Sequence, residues 1–305
     1  MLTRHTRNGV IWVDLESPTR QELQSVVSEF DIDTRIEEEI ITPTAYPLIV
    51  ASEKYVYLIL HFPTMDPRGG AKNQEIDFIV GKDFMVTARY EVIDSIHNLQ
   101  KVFESEELLG LPEKHVNAES LLERVLRHLY AALGEETEQV ARMLERIEQD
   151  IYSGKERQTV LNLSKVSRIL LRFDTALARH EDALASFLSE LTAPAFFGKG
   201  FKEHINHIEA ERMHAAGLVG NYRAVTTELR LTNDSLLSTK QNDIITRLTI
   251  MAFATFPLTV IAGIFGMNTP NMPLVESPYG FWMILGIMAL TVLGFVSFFR
   301  FRKWL

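Results

Sequence analysis

Leu248–Asn268, LTIMAFATFPLTVIAGIFGMN, and Tyr279–Phe299, YGFWMILGIMALTVLGFVSFF, decide the architecture of this 305-residue chain. Neither run carries a charge, and each reaches the roughly 20 residues that a helix needs to cross a hydrocarbon core. They are joined by a short connection that opens with Gly266-Met267-Asn268 and are followed by Arg300, Arg302 and Lys303. The chain reads as a two-span membrane protein. Lys240 and Arg247 precede the first run, and the connection contains no Lys or Arg. By the positive-inside rule both long arms face the cytoplasm, in a cell (inner) membrane setting.

Charge separates the two parts of the chain. Residues 248–305 carry +2 (Glu276 against Arg300, Arg302 and Lys303), which leaves −11 of the formal −9 total on residues 1–247. So acidic a surface disfavours nucleic acid, whose phosphates need clustered Lys and Arg to displace counterions, and favours cations. The absence of cysteine excludes thiolate metal sites and disulfides. The N-terminal residues lack an apolar h-region, so no cleavable signal is expected. Enzyme signatures are missing too. The chain has no phosphate-cradling Gly-x-x-x-x-Gly-Lys-Ser/Thr loop, and His180-Glu181 lacks the second histidine of a metalloprotease helix. We expect no enzyme and no organic cofactor.

Moving towards the N-terminus, the pattern implies an α+β fold. Residues 1–115 alternate strand-like and helical runs: Val10–Leu15, a helix opened by Ser17-Pro18-Thr19-Arg20, Tyr55–Leu60, a loop from Pro63 to Gly70, and a hairpin of Ile76–Val80 with Phe84–Thr87 around Gly81-Lys82-Asp83. This part is expected to be an α/β domain in the cytoplasm. Residues 116–195 read as antiparallel helices, with Val140, Leu144, Ile147 and Ile151 on one face. Residues 196–247 read as a stalk helix that continues without a break into transmembrane helix 1 at 248–267. An extracytoplasmic loop (268–278), transmembrane helix 2 (279–299) and a basic tail (300–305) complete the chain.

The chemistry is expected in the loop. Asn268 offers an amide oxygen without formal charge, which suits a cation recognised through its water shell. Mg²⁺, small, octahedral and slow to dehydrate, is such a cation. A single neutral Asn cannot select an ion, so a ring of them around a symmetry axis is implied. Gly-Met-Asn alone is also an ordinary turn.

The stretch from Leu248 through Phe256-Pro257-Leu258-Thr259 to Gly266-Met267-Asn268, the following Met272-Pro273 and the ending Lys303-Trp304-Leu305 together resemble the CorA family of divalent-cation channels. The likeness extends more loosely to Tyr55–Leu58 and the Gly81-Lys82 turn. It implies a homopentamer in a lipid bilayer, with the first spans lining a pore and Gly266, Met267 and Asn268 forming the filter. Helical steps back from that loop give the pore-facing residues Gly263, Thr259, Phe256, Ala252, Thr249 or Leu248, Ile245 and Asn242. Phe256 and Leu248 are then candidates for a hydrophobic gate that closes by dewetting. Glu276, displaced from the place directly after Met-Pro, would still concentrate cations at the outer mouth.

The resemblance also implies a regulatory cytosolic Mg²⁺ held between neighbouring subunits, here at Glu39 and Glu203, where the family pattern has Asp. His204, His207, Glu211 and His214 form a stripe on the stalk at spacings of three, four and three. Such a stripe fits Zn²⁺, Co²⁺ or Ni²⁺, and equally fits a hydrated helix face. The expected activity is passage of hydrated Mg²⁺, with Co²⁺ or Ni²⁺ as further ions, down the electrochemical gradient. The alternatives are a Zn²⁺ importer of the same fold, against which Met267 argues, and a non-conducting membrane-tethered metal sensor.

Overall fold

The structure, a computed structural model, describes residues 1–66, 70–108, 117–267, 273–274 and 277–302. The chain divides into two compact units, Met1–Arg230 and Leu231–Leu305.

The first unit is built on a six-stranded mixed sheet. Its strands are β1 (Leu2–Arg7), β2 (Val10–Glu16), β3 (Ile49–Ala51), β4 (Tyr55–Met65), β5 (Ala71–Gly81) and β6 (Phe84–Arg89), in the order β1-β2-β6-β5-β4-β3. β2 and β6 run parallel, and the other pairings are antiparallel. The expected β5–β6 hairpin is present, with Val80 opposite Met85. A Cβ at Gly81 would lie 2.2 Å from Cε1 of Phe84, so a larger residue there would displace a ring that stacks on Phe30 at 4.4 Å.

Three details differ from the sequence reading. β1 was not anticipated, although Asn8-Gly9 (φ 49° and 82°) supplies the left-handed pair that a two-residue hairpin needs. The expected loop from Pro63 is shorter: β4 continues to Met65, and Pro63 sits opposite Asn73. Pro18 lies one residue before the helix cap rather than in the first turn of α1 (Arg20–Glu29). Thr19 is the N-cap and forms a reciprocal capping box with Glu22.

Both faces of the sheet are covered. Val13, Leu15, Tyr55, Tyr57, Ile59, Ile79, Val86 and Ala88 pack against Leu23, Val26 and Val27 of α1 and against Ile36 and Ile40 of α2 (Thr34–Ile41). The alternate residues of the strands, such as Val56, Leu58, Leu60 and Phe78, are also buried, on the side met by α4 (Ala118–Tyr152) and α5 (Glu156–Leu191). α3 (Asp94–Leu108) packs on α4. The α4–α5 hairpin turns at Gly154, whose φ of 81° suits the residue after a helix end.

His180, fully buried, joins three of these elements. Its Nδ1 accepts from the Tyr130 hydroxyl at 3.0 Å, and its Nε2 donates to the His61 carbonyl at 3.1 Å. Burial pushes its pKa down to about 3, so the ring is neutral and serves as a packing group.

α6 (Lys202–Phe265) is one continuous helix that begins after a short 3₁₀ turn, Gly198–Phe201, and α7 (Gly280–Phe301) follows it. Their most apolar windows reach mean hydropathies of 2.0 and 2.2, with no buried residues. The chain is a membrane protein with two spans. Phe253 of α6 meets Phe299 of α7 at 6.4 Å between ring centroids, and Phe295 and Phe298 flank Phe299.

Candidate ion pathway and metal sites

The apolar end of α6 has two faces. Ile250, Ala254, Pro257, Leu258, Ile261 and Phe265 are half-buried within the chain. Ile245, Leu248, Ala252, Phe256, Thr259 and Gly263 are exposed, Leu248 at 60% and Phe256 at 71%, at the centre of a broader exposed arc that also holds Met251, Phe253, Val260 and Ile264. At about 100° of turn per residue, the centres of these two stripes lie about 180° apart. Thr249 is half-buried and Leu248 exposed, which separates the two residues that helical spacing left as alternatives. Asn242 continues the exposed stripe.

Hydroxyls on this part of α6, Thr259 on the exposed stripe and Thr249 beside it, have a defined orientation. The Thr259 hydroxyl donates to the Thr255 carbonyl at 3.1 Å, and the Thr249 hydroxyl donates to the Ile245 carbonyl at 2.8 Å. Each hydroxyl has used its only hydrogen on its own helix, so its lone pairs are left to accept from water. Pro257 lacks an N–H, a defect tolerated in a span where neighbouring groups serve the freed carbonyl.

α6 ends at Gly266. Its N–H donates to the Ala262 carbonyl at 2.8 Å, and the Met267 N–H donates to Ile264 at 3.3 Å. A Cβ at Gly266 would sit 2.8 Å from the same Ala262 oxygen, so this helix end is specific for glycine. Asn268 and Glu276 lie outside the described residues.

On the first unit, Glu39 near the end of α2 and Glu203 in the first turn of α6 are both exposed. The histidine stripe is divided. His204 donates from Nδ1 to Glu123 at 2.5 Å and places Nε2 3.6 Å from Glu119. His207 Nδ1 donates to the other Glu123 oxygen at 2.9 Å, and Arg127 donates to that oxygen at 3.1 Å. Burial pushes the Glu123 carboxyl up, but the bonds from His204, His207 and Arg127 outweigh it and hold the group below the usual carboxylate range. Glu211 lines a cavity of about 420 Å³ together with Glu123, Arg124 and Arg127, and His214 is exposed. Among the described residues no group of three or more His, Cys, Asp or Glu side chains is placed to hold a metal ion. Within one chain His204 and His207 therefore dock on α4, while His214 stays exposed.

Residues 7–303 match the family described as CorA-like Mg²⁺ transporter protein. This chain belongs to the CorA family. Similar relatives include the cobalt/magnesium transport protein CorA of Thermotoga maritima, 22% identical over 297 residues (96% of this chain and 83% of the relative). The protein of the same description from Methanocaldococcus jannaschii is also 22% identical, over 97% of this chain and 92% of the relative. The complete structure of the CorA magnesium transporter from M. jannaschii superposes with a TM-score of 0.84 at 20% identity, covering 99% of this chain and 93% of that one. CorA-family membership places the chain among transporters rather than enzymes.

Sequence reading of this CorA-family chain missed Glu119 and Glu123 as partners of the stalk histidines. A signal existed, since the two carboxylates are four residues apart and share a face of α4. The loops that bring α4 beside α6 are what pair them, and no local pattern encodes that.

Proposed function

We propose that the chain forms a homopentameric channel that passes divalent cations, chiefly hydrated Mg²⁺, down the electrochemical gradient with both termini in the cytoplasm. One observation carries this reading: α6 presents an uncharged stripe from Ile245 to Gly263 on the side opposite its covered face, and the stripe ends at a helix terminus specific for Gly266. A stripe unpartnered in one copy and lacking charge suits a symmetric pore in which water-coated ions meet hydroxyl and amide oxygens. Membership of a family of Mg²⁺ transporters supports the choice of cargo.

In this reading Gly266, Met267 and Asn268 form the filter, with Glu276 at the outer mouth. Thr259 and Asn242 supply polar rings that accept hydrogen bonds from coordinated water. Phe256 and Leu248 form the constriction. Cytosolic Mg²⁺ bound between Glu39 of one copy and Glu203 of the next holds the pore closed, and a fall in internal Mg²⁺ releases it. The membrane potential contributes about 2.3 kcal/mol per charge for each 100 mV, and the cation carries two.

Flux into proteoliposomes followed with a Mg²⁺ dye and a Zn²⁺ dye tests the reading. Mg²⁺ entry that Asn268→Ala abolishes while the oligomer stays intact is the expected result. Selective flux retained by that variant defeats the filter assignment. Zn²⁺ entry alone favours the zinc importer, and no flux of either ion favours a membrane-tethered sensor.

A further inference from the structure

Arg168, Arg172, Thr175 and Arg179 follow one another on α5 at intervals of four, three and four, and therefore share one face of that helix. The face borders a cleft of about 400 Å³ that is also lined by Pro47, His61, Asn73 and Leu171, within the range of small-molecule sites. None of the residues lining the cleft is acidic, although residues 1–247 carry −11. Three guanidinium groups on one wall of a cleft in so acidic a unit call for an explanation.

Their partners do not neutralise them. The Arg172 guanidinium donates to the Ala71 carbonyl, and that of Arg179 donates to the Ala45 carbonyl at 3.4 Å. A guanidinium has five N–H donors and a full charge, and a carbonyl partner leaves that charge in place. Arg168 has no ion pair among the described residues. Carboxylates at nearby positions are engaged elsewhere: Glu75 with His61 at 3.1 Å and the Thr44 N–H at 2.7 Å, and Asp174 with Arg223 at 2.5 Å. One edge of the cleft is organic in character. Arg179 lies over the Tyr46 ring, 5.3 Å from its centroid, next to Pro47, and Leu171 is exposed.

We propose that this cleft binds a polyphosphate-bearing anion of nucleotide size, with Arg168 and Arg172 on the phosphates and the Tyr46–Pro47 edge beside the organic moiety. Arginine suits this ligand because its planar fork makes paired, charge-assisted bonds to phosphate oxygens. Burial opposes a charge on His61, but its bonds to the Glu75 carboxylate and the Thr44 carbonyl outweigh that, and its pKa is raised. A protonated ring is therefore balanced by Glu75, and the positive charge of the cleft rests on the three arginines.

Calorimetric titration of the full chain in detergent micelles, in Mg²⁺-free buffer, tests the proposal with tripolyphosphate, ATP and citrate as probes. Saturable tripolyphosphate binding is expected, weakened at least about tenfold by Arg168→Ala and by Arg172→Ala. Arg142→Ala, which removes an arginine paired with Glu138 on α4, should leave it unchanged. ATP binding at least as tight as tripolyphosphate supports the nucleotide-sized ligand, and weaker ATP binding overturns that part. Citrate binding as tight as tripolyphosphate overturns the phosphate assignment. The site itself is overturned by absence of saturable binding at millimolar probe, or by binding indifferent to both cleft variants. Both arginines are exposed, and unchanged thermal unfolding of the variants shows that any loss is one of binding.

Discussion

Arg89 and Asp14, 2% and 1% exposed, form the most deeply buried ion pair of the described residues, with Arg89 Nη2 and Nε 3.0 and 3.2 Å from one Asp14 oxygen. Gln100 donates to the same oxygen at 2.9 Å, Thr87 donates to the other at 2.6 Å, and Trp12 Nε1 donates to the Thr87 hydroxyl at 3.1 Å. Removing the cation leaves a buried carboxylate with the hydrogen bonds from Gln100 and Thr87 but without a counter-charge. Arg89→Met should therefore cost about 3–5 kcal/mol, read as a lowered urea midpoint of the full chain in detergent. Asp77 presents the opposite case. It is 1% exposed, and burial, with added repulsion from Glu75 and Glu39, raises its pKa well above the ordinary carboxylate value. The unfolded chain releases this proton near pH 4, so between that pH and the raised value the folded state holds more protons. Stability must then fall as pH rises through that window. Asp77→Asn, neutral throughout, should lose this slope, and identical pH–stability profiles for variant and parent would refute the assignment.

Elements differ in how much of their structure is written locally. The two spans were legible because an uncharged run of membrane length has few alternatives, and the α4–α5 hairpin because Val140, Leu144, Ile147 and Ile151 repeat at helical spacing; all four are buried. β3, three residues long, carries no pattern of its own and exists through its pairing with β4. The end of α6 yields a prediction at this scale. Gly266→Ala would force a methyl against the Ala262 carbonyl, so the variant should insert and assemble yet show Mg²⁺ uptake reduced by an order of magnitude or more, as roughly expected when a filter is displaced by a fraction of an ångström. Uptake equal to the parent would show that the terminus tolerates a side chain and does not position the loop.

At the scale of the whole molecule, the gating proposed above belongs to an assembly. Glu39 and Glu203 lie on different elements and are exposed in the single chain, so the proposed regulatory site requires a neighbouring copy. Glu39→Gln combined with Glu203→Gln should raise the Mg²⁺ concentration that inhibits flux by about tenfold while leaving the maximal rate unchanged, the size expected when a charge-assisted ligand is lost. Inhibition at the parental concentration would place the sensor elsewhere. Composition and periodicity by themselves determined the two spans, their uncharged stripe and the continuous α6, and the resemblance carried by Gly266-Met267-Asn268 and its flanking residues pointed to the family, because membrane length, helical period and a short motif are local properties. Only the tertiary structure decided that His204 and His207 dock on Glu123, that His180 is a neutral packing group, and that α5 carries three arginines along one cleft. Those outcomes depend on which helix faces are brought together by folding, and packing between residues 50 to 134 positions apart leaves no mark in a local pattern.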